Sequence, residues 1–234
     1  VEDVLFSVPA RLKFMRREQT ELGHCEEALV RIALAHPEVG FFLEHEGKTV
    51  FSSAPCAEEP RERVAAALGK EAYPHLLPVD EQWLGIRVHG YIATAEFTLP
   101  TAKGLYCFVN HRYVRDRGLI SAVQRGYLDT LPPGRQPVVV LFIEIDPAVV
   151  DVNVHPQKLE VRFSDARGVY DAVFSTVSKA IRKTVGEQPT ATGGWMAQAH
   201  YAEAVERFLA RAGPGTSSPA GPWVAAEPSA PVWA

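Results

Sequence analysis

The chain has 234 residues, 47% hydrophobic and 22% charged, with a formal net charge of −4. That is enough chain for one or two domains with a real core, in an ordinary globular balance, and the acidic total argues against a generally adhesive nucleic-acid binder. No apolar run reaches the roughly 18 residues that a membrane span needs, and no basic-then-apolar targeting pattern opens the chain, so no membrane partner is expected.

Cys25, Cys56 and Cys107 are odd in number, far apart and form no C-x-x-C, which fits reduced thiols in cytosol. The eight histidines are scattered without ligand spacing, so no metal is expected. The first residue is Val1 and the first methionine is Met15, so a piece of a longer chain is expected. Charge is uneven: residues 1–102 hold 10 basic and 16 acidic side chains, a local −6. Residues 103–135 hold 6 basic (Lys103, Arg112, Arg115, Arg117, Arg125, Arg135) and 2 acidic (Asp116, Asp129), a local +4. A positive patch on an acidic chain points to a polyanion at one face.

Along the chain, Ser7-Val8-Pro9 reads as a strand exit, and a helix is predicted from Ala10 to the His36-Pro37 stop. Residues 41–51 read as a hairpin turning at Glu46-Gly47. Residues 61–70 read as a short helix with Val64, Ala67 and Leu68 inward, and 76–80 as a loop with a domain boundary near it. A long strand is predicted over 84–99, with Gly90 marking a bulge or bend. Lys103-Gly104 turns into the strand 105–109. A helix is predicted over 117–131, then a continuous apolar strand over 137–145 covered on both faces. A last helix over 165–185 puts Val169, Val173, Val177 and Ile181 inward. The fold class is α+β: a mixed β-sheet with two helices on one face, preceded by a helix and a hairpin.

The stretch 149–163 carries the functional argument. Val150, Val152 and Val154 alternate with Asp151 and Asn153, His155-Pro156 breaks the alternation, and Leu159, Val161 and Phe163 resume it. Two short strands thus flank a proline-pinned tip that carries Lys158. A lysine on a stiff loop is a long-reach point charge for a phosphate, although a lone turn lysine is ordinarily a solvated one. D-V-N-V-H-P-Q-K-L-E-V-R-F, from Asp151 to Phe163, resembles the second-domain motif of the MutL mismatch-repair family. Phe108-Val109-Asn110-His111-Arg112 matches that family's F-V-N-x-R, and L-F-S-V-P-A-R-L-K-F resembles the last motif of its ATPase domain, with Ser7 where asparagine is usual. The resemblance runs from residue 1 to about 185.

The resemblance implies that Lys158 is a catalytic contact to the γ-phosphate of ATP. It implies DNA-backbone contacts for Arg112, Arg115 and Arg117, with Gly118 a one-residue insertion that shifts the alignment there. Pro9, Arg11, Asn110, His155 and Pro156 are its structural motif residues, and Asn110 can equally be a local turn former. It divides the chain into the C-terminal end of a GHKL-type ATPase domain and connector (1–75), a transducer domain (76–185) and a mostly disordered linker (186–234) with one possible helix at 196–212. No E-x-x-x-N helix, D-x-G-x-G loop or glycine-rich lid is present. ATP and Mg are therefore expected to be held mainly by an upstream domain, and the chain alone is expected to be inactive. DNA mismatch repair by a parent ATPase is the implied function. Its implied partners are DNA, mismatch-recognition and strand-incision repair proteins, and a second copy in a full-length homodimer, in a cytoplasmic, nucleoid-associated setting. A non-enzymatic nucleic-acid-binding module of the same fold is the alternative reading, as is the transducer of another GHKL ATPase such as gyrase B.

Overall fold

The computed structural model describes residues 6–127, 130–152 and 159–185. The predicted first helix is broken in two. α1 (Pro9–Leu12) is a single turn, and α2 spans Glu18–Ala35. Between them Arg17 is extended at φ −60, ψ 143, and the Arg16 N–H donates to Glu21 Oε1 at 2.9 Å rather than to a helical carbonyl. Phe14 is 83% exposed, so no burial draws a helix across the gap. Strands β1 (Phe41–His45) and β2 (Lys48–Ser53) form the expected hairpin, with both turn residues at positive φ, Glu46 at 49° and Gly47 at 72°. α3 (Pro60–Leu68) follows and is shorter than predicted, ending at Gly69.

Arg63 of α3 is 1% exposed. Its guanidinium donates to Ala33 O at 3.1 Å, Val39 O at 2.5 Å and Ala54 O at 3.0 Å. One side chain thereby ties the end of α2, the loop before β1 and the exit of β2 together. The Ala33 carbonyl belongs to the last turn of α2, where the helix dipole favours a cation.

Five strands then form one mixed sheet: β3 (Leu76–Trp83), β4 (Ile86–Ala93), β5 (Leu105–Val109), β6 (Arg112–Val114) and β7 (Val139–Glu144). Their order is β3-β4-β7-β5-β6, with only the β5–β7 pair parallel. The segment 76–80, predicted as loop, is the first half of β3. It holds Pro78, whose missing N–H is tolerated because β3 is an edge strand. The strand predicted over 84–99 is therefore β4 alone, entered by a tight turn at Leu84-Gly85. Gly90 makes no bulge, since the β4–β7 register runs unbroken from Arg87↔Glu144 to Ile92↔Val139. It stands at φ +129, and a Cβ there would lie 2.2 Å from Val140 O, so a bare backbone is what lets β4 approach β7.

Helices α4 (Arg117–Gly126) and α5 (Ala166–Val185) cover one face of the sheet. Val169, Val173, Val177 and Ile181 are all buried, each such side chain contributing about 1.5–3 kcal/mol. Gly126 lets the two helices touch, because a Cβ there would sit 2.7 Å from Val177 Cγ1. α4 stops at Gly126 rather than at residue 131, and the next side chain, Tyr127, turns to donate its hydroxyl to Ala93 O at 2.5 Å.

The other face is also covered. Tyr106, Phe108 and Val140 pack with Val30, Ala33 and Leu34 of α2, Phe51 of β2, and Val64 and Ala65 of α3. Residues on both sides of the boundary expected at 75/76 thus share one core. Past β7, β8 (Val150–Asp151) pairs antiparallel with β9 (Arg162–Phe163).

Candidate nucleic-acid interface and lysine arm

The sequence places Arg112, Arg115 and Arg117 at one helix entrance. The structure separates them: Arg112 is on edge strand β6, which the sequence reading missed, Arg115 follows that strand, and Arg117 opens α4. All three are exposed. Among the described residues, none has a side-chain hydrogen bond or ion pair. Arg115 and Arg117 lie between Val114 and Leu119, both buried in the helix-side core, and Arg112 adjoins Tyr113, which packs edge-on to Phe108 at 5.8 Å on the opposite face. Asp116 caps α4 by accepting from Leu119 N at 3.0 Å, which offsets the cost of a cation at the first turn.

Asn110 and His111 form the β5–β6 turn at φ 47° and 65°, conformations that asparagine tolerates. The Asn110 amide does more than close the turn. Its Nδ2 donates to Ile145 O at 2.8 Å, and its Oδ1 accepts from Ile145 N at 3.0 Å. Its backbone N–H donates to Ile143 O at 3.0 Å. The side chain thus carries the parallel β5–β7 ladder one step past the end of the strand.

The arm that carries Lys158 is anchored at its base. Ser164 donates to Val149 O through both N and Oγ, each at 3.0 Å, and Val161 and Phe163 are buried. On the returning side, the Arg115 N–H donates to Leu159 O at 2.6 Å. His155, Pro156 and Lys158 themselves lie outside the described residues. Arg11 is exposed on α1, with its side chain unbonded among the described residues, and Pro9 supplies the first position of that turn.

Beside the arm lies a groove of about 280 Å³, lined among others by Asp116, Gly118, Glu160, Arg162 and Tyr170. It does not suit a triphosphate. The two helix N-termini nearby are already capped by their own carboxylates, Asp116 on Leu119 N and Asp165 on Gly168 N at 2.9 Å, and Glu160 adds another negative charge. The described residues therefore assemble no nucleotide cradle. Away from this region, Glu18, His45 and Glu46 bring ligand atoms within 4.8 Å of one another, a grouping the sequence spacing did not suggest. The 3.3 Å contact between His45 Nε2 and Glu18 Oε1, at the surface, accounts for it as a side-chain pair.

Comparison with known proteins settles the family. The model of the C-terminal domain of DNA mismatch repair protein matches residues 64–182. The chain is 60% identical to DNA mismatch repair protein MutL of Myxococcus xanthus, over 91% of this chain and 35% of that protein. The chain belongs to the MutL family of DNA mismatch repair proteins. It spans about a third of the length of that MutL. In fold it is similar to the N-terminal domain of a DNA repair protein, at TM-score 0.64 and 22% identity, covering 78% of this chain and 60% of the other. A mutant MutL ATPase domain from Aquifex aeolicus is similar at TM-score 0.54 and 22% identity, covering 76% and 60%.

Residues that the sequence reading passed over also shape this MutL surface. Arg31 of α2 pairs with Glu27 and lies 4.3 Å over the ring of Tyr113, holding β6 from behind. Burial pushes the Tyr113 phenol upward, against the opposing pull of Arg31 and Arg115. No pattern in the sequence joins Arg31 to a strand some eighty residues on.

Proposed function

We propose that this chain is the transducer part of a MutL-type mismatch-repair ATPase, with residues 1–75 contributed by the end of the ATPase domain. Arg112, Arg115 and Arg117 hold DNA backbone without reading sequence, since arginine forks match phosphate oxygens and few aromatics interleave for base stacking. Lys158 reaches the γ-phosphate of ATP, which with Mg is bound mainly by the upstream domain of the parent protein. The parent works as a homodimer with mismatch-recognition and strand-incision proteins, in the cytoplasm at the nucleoid. Among the described residues no helix is long and apolar enough to cross a membrane.

The observation that carries this reading is that, among the described residues, the three arginines have no internal side-chain partners. By contrast, Arg87 is forked onto Asp80 at 2.9 and 2.7 Å, and Arg63 is consumed by carbonyls. An arginine engaged within the fold is structural, whereas an exposed unpaired one is available to a phosphate. The test is a DNA-binding titration of the chain against a variant with all three arginines changed to glutamate. The reading expects affinity to collapse and the salt dependence to flatten; unchanged affinity overturns it.

A further inference from the structure

We infer that Arg162 is a fourth DNA-backbone contact, so that the phosphate track crosses from β6 and the head of α4 onto β9. This rests on the reading above that Arg112, Arg115 and Arg117 face DNA.

Pairing supplies the first argument. Arg162 is exposed, and among the described residues its side chain has no hydrogen bond or ion pair. Asp151 stands opposite it in the β8–β9 register. Arg125 is equally unpaired, but it lies in the last turn of α4, where a cation is already favoured by the helix dipole. Arg162 has no such compensation on its two-residue strand.

Position supplies the second. Arg162 lines a groove that is also lined by Asp116 and Gly118, the chain neighbours of Arg117 on both sides. The Arg115 N–H to Leu159 O bond fixes the strand leading to Arg162 against the segment that follows β6. Val161 and Phe163, on either side of Arg162, are buried and aim it outward. The cations are thus held on one connected surface rather than scattered over it.

The opposing charges on that surface are named by the same geometry. The Asp116 carboxylate is occupied as the cap of α4, which leaves Glu160 as the exposed acid of the groove wall. Glu160 works against a polyanion there, and its removal strengthens binding.

The experiment is fluorescence anisotropy of the 234-residue chain on a labelled duplex of mixed sequence, across a salt series. Four variants are compared with the unaltered chain: Arg162→Gln, Arg162→Lys, Glu160→Gln, and the combined change of Arg112, Arg115 and Arg117 to Gln. Arg162→Gln is expected to weaken binding about three- to tenfold and to flatten the log–log salt slope by about 0.9, the loss of one phosphate contact. Arg162→Lys restores the slope, because it keeps the charge, and so separates a phosphate contact from a folding defect. Glu160→Gln tightens binding. Should Arg162→Gln change neither affinity nor slope while the triple variant loses binding, the inference is overturned and the three-arginine reading stands. A slope that Arg162→Lys fails to restore also overturns it. Should the triple variant bind as the unaltered chain does, or the unaltered chain not bind at all, the three-arginine reading fails first and the inference with it.

Discussion

The Arg115 N–H donates to Leu159 O at 2.6 Å, joining the arginine-bearing end of β6 to the residue that immediately follows Lys158. The segment just past the F-V-N-x-R motif is therefore bonded through its backbone to the Asp151–Phe163 motif. The bond predicts a separation between two substitutions. Arg115→Ala keeps the N–H and shifts stability by no more than about 0.5 kcal/mol. Arg115→Pro removes the donor and costs about 1 kcal/mol or more. Chemical denaturation checks both, and equal stabilities would remove the bond from the account.

Arg63 predicts a larger effect far from any functional surface. Arg63→Met keeps much of the volume but strands the carbonyls of Ala33, Val39 and Ala54, at a cost of about 3 kcal/mol or more. Arg63→Lys retains some donors and falls between. The midpoint of urea unfolding orders the three proteins.

At Asn110, two properties are separable by substitution. Asn110→Gly keeps the positive φ but loses both side-chain bonds to Ile145, while Asn110→Ala loses the bonds and resists the backbone conformation. Stability is expected to fall in the order Asn, Gly, Ala, with Ala costing about 2 kcal/mol. Equal costs for Gly and Ala would contradict a role for the left-handed turn.

Tyr127 makes stability sensitive to alkali. Burial pushes its phenol up from the ordinary tyrosine range, and burial likewise pushes Tyr106 and the Cys107 thiol up to about 12 each. A folded pKa above the unfolded one gives stability that is fully present below the unfolded value, about 10 for tyrosine. It is lost as pH rises toward the folded value. Tyr127→Phe is expected to cost about 1–3 kcal/mol at neutral pH, because Ala93 O loses its donor. The variant also loses stability less steeply above about pH 10. Thermal melts across that range supply the comparison.

Much of this fold was legible because its central elements follow simple periods. The apolar run of β7 and the valine row of α5 announced a doubly covered strand and a one-sided helix. The places that misled were those where a local preference lost to context. Pro78 masked an edge strand, and the long alternation around Gly90 concealed the turn at Leu84-Gly85. β6 has only three residues and sits between two stronger signals. At the surface, the motif strings located the arginines but not what holds them. Tyr113 over Arg31, and Leu159 against Arg115, are contacts between distant segments that no spacing in the chain encodes. Arg63 was hidden for a similar reason: a charged residue in a helix reads as solvated until its carbonyl partners come together in space.

The central claim concerns Lys158, and steady-state kinetics of ATP hydrolysis by the intact parent protein test it most directly. If the ammonium stabilises charge developing on the γ-phosphate, Lys158→Ala lowers kcat by about tenfold to a hundredfold while nucleotide affinity falls only slightly. Turnover equal to that of the unaltered protein, at saturating ATP, would contradict the account.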